Sequence, residues 1–183
     1  MIKRLCMFTA GLALFASAAI AGPAERKDLQ VFNDIAETVN RYTQFTIFDD
    51  VNASVRGGVV TLTGKVTMPY KRDDIEKRVA KVDGVRHVDD RISVLPVSTF
   101  DSDLRYRIAR SIYGHSNFWT YAAMANPPIH IIVEHSRVTL TGVVNSEVDR
   151  ALARSLATQF GVLSVTNNLK TDAEVREALE KSY

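Results

Sequence analysis

The residues with the means for catalysis or metal binding are four histidines, one cysteine and several acid pairs. His87, His115, His130 and His135 are scattered, with no His-Glu-x-x-His run and no carboxylate cluster beside them, so their spacing builds no metal site. His130 alternates with Ile129 and Ile131 and belongs on the outward face of a strand, while His135 falls in a hairpin turn. A nucleophile needs a base in reach and a third group to orient it, and no serine lies in an elbow motif that would supply them. Gly64 and Gly142 follow strand residues but belong to no phosphate-cradling glycine run, so they read as bends or close packing points. Asp49-Asp50 reads as a loop, and Asp73-Asp74 as the first turn of a helix, where acids suit the dipole. The spacing therefore yields no catalytic centre, no metal site and no cofactor site.

What remains is recognition chemistry. Tyr106, Arg107 and Arg110 share one side of a helix whose opposite stripe is Leu104, Ile108 and Ile112. Phe100 stands just before that helix, and Phe118-Trp119-Thr120-Tyr121 follows it. Amphipathic aromatics near arginines suit a lipid headgroup zone, so Phe100, Tyr106, Arg107, Arg110, Phe118, Trp119 and Tyr121 form a candidate membrane-contact set. For Phe118 and Tyr121 a second reading stays open. Phe45 and Phe48 repeat their spacing earlier in the chain, and a repeated pair suits a plug at the end of each copy's own core. Trp119, with Thr46 as its counterpart, is not covered by that reading. The basic residues Lys71, Arg72, Lys77, Arg78 and Lys81 are interleaved with acids and read as a solvated, self-neutralising face.

The elements that position these groups come twice. Val60-Thr61-Leu62-Thr63-Gly64-Lys65-Val66 returns as Val138-Thr139-Leu140-Thr141-Gly142-Val143-Val144, and the stretch from Gly84 to Ile92 returns from Gly161 to Leu169. The offset slips by one residue between the blocks, which predicts a deletion in the intervening helix. Each copy reads as helix, strand, strand, helix, strand. In the first, Val31, Phe32, Ile35, Val39 and Tyr42 line a helix opened by Asp28 as N-cap, and Val51, Ala53 and Val55 alternate as a strand. Gly57-Gly58 makes the hairpin turn, and Thr67 and Pro69 open a helix whose inner face is Ile75, Val79 and Val82. In the second, Asn145 is the expected cap of a helix with Val148, Leu152, Leu156 and Phe160 inward. Asp90 and Asn167 fall at matching inward positions of the third strands, where each must find a backbone partner. The expected class is α+β: two αββαβ modules, each a three-stranded mixed sheet with both helices on one face. The expected boundaries are 27–95 for the first module, 96–100 for a linker, 101–171 for the second module and 172–183 for a helical tail.

Residues 1–21 read as a secretory signal: Lys3 and Arg4, an apolar run, then Ala19-Ile20-Ala21 for cleavage. Cys6 lies inside that run, so the exported chain has no thiol for a disulfide or a lipid. The signal holds two of the 23 basic residues and none of the 21 acidic ones, which leaves the exported chain balanced at 21 of each. That balance gives no footprint for nucleic acid.

The ordered motif Val-Thr-Leu-Thr-Gly-x-Val, an amphipathic helix, then Gly-Val-x-x-Val, present in both copies, resembles the BON domain. The resemblance covers nearly all of the exported chain. It implies αββαβ modules, a periplasmic or outer-membrane setting, association with phospholipid surfaces or envelope maintenance, sometimes under osmotic stress, and no shared enzymatic activity. Joined to the arginine and aromatic edge, it leads to a non-catalytic protein resting on anionic phospholipid. The other reading is a soluble periplasmic module that binds envelope proteins or acts as a stress-protective chaperone. Oligomeric state stays open, since short sheet edges could pair between chains.

Overall fold

The computed structural model describes residues 27–180, so the stretch expected to be a secretory signal lies outside the described residues. The first module runs α1 (Asp28–Asn40), β1 (Asp50–Arg56), β2 (Val59–Val66), α2 (Pro69–Val79) and β3 (His87–Val94). The second runs α3 (Thr99–Tyr113), a 3-10 turn at Ser116–Phe118, α4 (Trp119–Ala122), β4 (Ile129–Glu134), β5 (Arg137–Val144), α5 (Glu147–Ala157), β6 (Ser164–Asn167) and β7 (Lys170–Thr171). Helix α6 (Asp172–Glu180) follows. Its first turn is a capping box in which Thr171 and Glu174 each accept the other's backbone N–H.

In each sheet the middle strand is antiparallel to the first and parallel to the third. Alternation places Val60, Leu62 and Val66 under Val31, Ile35, Ile75 and Val79, and the same pattern puts Val138, Leu140 and Val144 under Leu104, Ile108, Ala153 and Ala157. Both helices of a module thus cover one sheet face, as the periodicity predicts. Asp90 accepts the Ile92 N–H at 2.9 Å and Asn167 accepts that of Leu169 at 3.3 Å, so the two inward polar residues find their backbone partners.

Several local expectations need correction. Asp28 does not cap α1: its carboxylate accepts the N–H groups of Gly57 and Gly58, clamping the hairpin turn to the helix. Asp101 does the same for His135 and Ser136, at 2.9 Å each. Ser146, not Asn145, caps α5, its hydroxyl accepting the Asp149 N–H. The inner face of α5 is Ala153 and Ala157, flanked by Leu152 and Leu156, while Val148 points to solvent. The deletion falls after the helix: α2 and α5 are both 11 residues long, and the turn leading to Gly161 is the shorter one. The third strand of the second module is interrupted between β6 and β7, although Leu140↔Asn167 and Val143↔Lys170 keep one register.

Gly64 and Gly142 sit at φ +121° and +115°, and a Cβ there would lie 2.1 Å from the Asp50 carbonyl oxygen or 1.8 Å from that of Pro128. They are bends where the first strand crosses tightly, not helix-packing points.

The two modules touch directly. Ile47 and Phe48 leave the first module and pack against the second module's core. The Ile131 N–H donates to the Ile47 carbonyl at 2.7 Å, and His130 Nδ1 lies 2.6 Å from the Asp49 carbonyl. Along the outer edge of β4, Tyr113 Oη bonds both the N–H and the carbonyl of Ile129, and Arg105 donates to the Val133 carbonyl. The β4 edge is therefore covered and cannot serve for pairing between chains.

Candidate functional site

The arginine and aromatic set divides once placed on the fold. Phe118 is wholly buried and Tyr121 nearly so, with ring centroids 5.8 Å apart inside the second core. The Tyr121 hydroxyl accepts the Asn145 N–H at 2.8 Å and reaches Asp149 at 3.4 Å, and burial raises its pKa above the usual phenol value. These two residues are core plugs and leave the contact set. Truncating Phe118 would open a cavity costing about 3–5 kcal/mol.

The others reach solvent. Phe100 is 50%, Tyr106 60% and Trp119 66% exposed, Arg110 is exposed and Arg107 half-buried. Tyr106 is engaged edge-on by Phe48 of the first module, with ring centroids 5.2 Å apart. Phe100 and Arg107 are two turns apart on α3, and both lie against Gly161. Arg107 donates to the Phe160 carbonyl at 3.2 Å. Trp119 follows the other end of the same helix, so the aromatics are divided between two ends of α3.

Sequence reasoning missed Phe160 and Leu163, which are 92% and 73% exposed. The shortened turn explains Phe160. The Val85 N–H bonds the Val82 carbonyl, and the Val162 N–H bonds the Gln159 carbonyl, so Gln159 holds the place of the inward Val82. Phe160 then takes the outward place of Asp83. The offset slip in the repeat was the signal, because it breaks helical spacing just before Phe160. At this end of the second module Phe100, Phe160 and Leu163 stand out beside Arg107, an apolar knuckle with a fixed cation.

Sequence reasoning also missed a buried ion pair. Asp49 is fully buried and accepts from Lys71 Nζ at 2.6 Å, the Thr46 hydroxyl at 2.7 Å and the Thr67 N–H at 2.7 Å. Burial pushes the Asp49 carboxyl up, but hydrogen bonds from Lys71, Thr67 and Thr46 outweigh it and hold it below the ordinary value. Nearby, Arg105 is buried in the second module, and burial lowers its pKa. These groups are spent on local structure. Among the described residues no group of three or more His, Cys, Asp or Glu side chains could hold a metal ion.

A family model for the BON domain matches the chain twice, over residues 33–96 and 120–182. The chain belongs to the BON domain family. The first match begins within α1 and ends just after β3, while the second begins within α4, leaves α3 outside and takes in α6. Two solved structures are similar to this BON chain at low identity. One is described as structural studies of CdsD, a structural protein of the type III secretion system of Chlamydia trachomatis: 13% identity, TM-score 0.31, covering 84% of this chain and 99% of that one. The other is the C-terminal domain of CdsD, at 14% identity and TM-score 0.33, covering 79% of this chain and 66% of that one. No curated protein matches at the sequence level. BON membership supports a non-catalytic, envelope-associated role. No helix among the described residues is long and apolar enough to cross a membrane.

Proposed function

We propose that this tandem BON protein is exported to the periplasm and rests peripherally on anionic phospholipid through one edge of its second module, contributing to envelope maintenance. The observation that carries this reading is the apolar knuckle of Phe100, Phe160 and Leu163 beside Arg107. A folded chain gains nothing by holding a phenylalanine 92% exposed, and a headgroup layer would take the ring while the guanidinium meets phosphate. Arg110 and Tyr106 continue that side of α3, and Trp119 gives a second aromatic contact at the helix's far end. Burying one phenylalanine is worth about 1.5–3 kcal/mol. Each arginine near an anionic surface adds about 1 kcal/mol.

Sedimentation of the exported chain with anionic and with neutral liposomes, at low and moderate salt, tests this. Binding should require anionic lipid, weaken with salt, and fall about tenfold or more in Phe160→Ser, the conversion following from the burial energy above. Trp119→Ala separates the two ends of the helix. The exposed position of Phe160 means that its loss leaves the unfolding midpoint unchanged. A chain that sediments with no liposome under any condition removes this reading. The balanced charge of the exported chain then favours a soluble periplasmic module that binds or protects other envelope proteins.

A further inference from the structure

The helix-free faces of the two sheets converge into a cleft of about 550 Å³, within the size range of small-molecule sites. The first module contributes Asp50, Gly64, Lys65, Arg91 and Ser93. The second contributes the outward residues of β5 and β6, paired as Arg137↔Ser164 and Thr139↔Thr166, with Thr141 as the next outward residue. Ile132 is the one large apolar side chain of the lining, so the cleft suits neither an acyl chain nor a base to be stacked. Hydroxyls that can donate or accept share it with charged side chains of both signs.

Three features mark the cleft as more than a solvated sheet face. Thr141 Oγ1 is buried and has no hydrogen-bond partner among the described residues. Lys65 and Glu134, one from each module, form an ion pair in the cleft wall and neutralise each other, whereas Arg137 has no such partner among the described residues. His135 and Ser136 hold left-handed backbone at φ +50° and +62°, where the first module uses Gly57 and Gly58. The Asp101 clamp keeps that strained turn in place and sets His135 in the lining beside Arg137.

We infer that this cleft binds an acidic saccharide, its ring hydroxyls meeting Thr139, Thr141, Ser164 and Thr166 and its carboxylate meeting Arg137. Guanidinium matches carboxylate in bidentate geometry, and a hydroxyl ladder matches a polyol. The cleft adjoins the apolar knuckle, since Leu163 precedes Ser164 and its N–H bonds the Ser136 carbonyl, but it calls on different side chains, so saccharide binding and lipid binding are read by separate measurements.

The test is an NMR titration of the ¹⁵N-labelled exported chain with trigalacturonate, beside maltotriose and acetate as neutral-sugar and carboxylate-only probes. Trigalacturonate should shift the amide signals of residues 137–141 and 164–168 and saturate. Arg137→Ala should weaken binding at least tenfold and Thr141→Val severalfold, both leaving the unfolding midpoint as it was. Absence of shifts at millimolar trigalacturonate overturns the inference. Equal shifts from maltotriose or from acetate overturn it too, because either would show that sugar and carboxylate are not read together.

Discussion

The backbone amide two residues before the second helix is met differently in the two modules. In the first, the Thr67 N–H donates to a buried aspartate, Asp49, which Lys71 neutralises from the next turn. In the second, the equivalent Asn145 N–H donates to the Tyr121 hydroxyl, which in turn reaches Asp149, the counterpart of Lys71. A charged pair has been exchanged for a phenol, and the exchange redirects a ring. Tyr121 turns into its own core to reach the amide, whereas Phe48, its counterpart, packs across on the neighbouring module. One repeated aromatic therefore closes a core in one copy and joins two copies in the other.

The glycine bends are where the modules should behave alike, and they carry the largest expected effect. Gly64→Ala and Gly142→Ala should each cost about 3–5 kcal/mol from backbone strain and overpacking together, with both modules hit equally in urea denaturation. A mild effect in one copy would show that its first strand can shift away from the bend.

Lys71→Ala tests the exchanged pair itself. It leaves Asp49 buried and unpaired and should cost about 3–5 kcal/mol, against about 1 kcal/mol for Asp149→Ala in the second module. The depressed Asp49 pKa also makes the first module acid-sensitive. Its contribution is complete above the ordinary carboxylate value of 3.8 and is lost as pH falls through the lower folded value. Urea midpoints taken across that range should drop in the wild type and flatten in an Asp49→Asn, Lys71→Met chain.

Next come the turn clamps. Asp101→Ala should cost about 1.5–3 kcal/mol and more than Asp28→Ala, because the His135-Ser136 turn is strained without its clamp and Gly57-Gly58 is not. The smallest effect runs the other way. Ser136→Gly should stabilise the second module by about 1 kcal/mol, read as a small rise in its thermal midpoint, by removing one left-handed non-glycine residue.

Much of this fold was legible in the sequence, because its signals are local. Period-2 alternation at Val60-Leu62 and Val138-Leu140, the Gly-Gly turn and the matching Asp90 and Asn167 each specify their environment within a few residues. The failures came where identity depends on distant partners. Asp49-Asp50 looks like a solvated loop, and only Lys71 and Thr67, about 20 residues on, turn the first of the pair inward. Val148, Leu152, Leu156 and Phe160 make a flawless four-residue stripe, yet α5 ends at Ala157 and turns Ala153 inward. Ala153 and Ala157 are buried at the places that Ile75 and Val79 hold in the first module. Aligning the repeats would have placed Ala153 and Ala157 opposite that pair. Of the candidate contact set, exposure keeps Phe100, Tyr106, Arg107, Arg110 and Trp119 available, and the shortened turn adds Phe160.

The covering of β4 has an architectural result. Part of that cover is the Ile47 carbonyl, which belongs to the other module, so the second copy is not a free-standing bead on a string. Cut loose, it would keep Tyr113 and Arg105 on Ile129 and Val133 but leave the Ile131 N–H between them unmet, a gap at which another chain's strand could begin to pair. The duplication has thus made its earlier half a built-in escort for the later one.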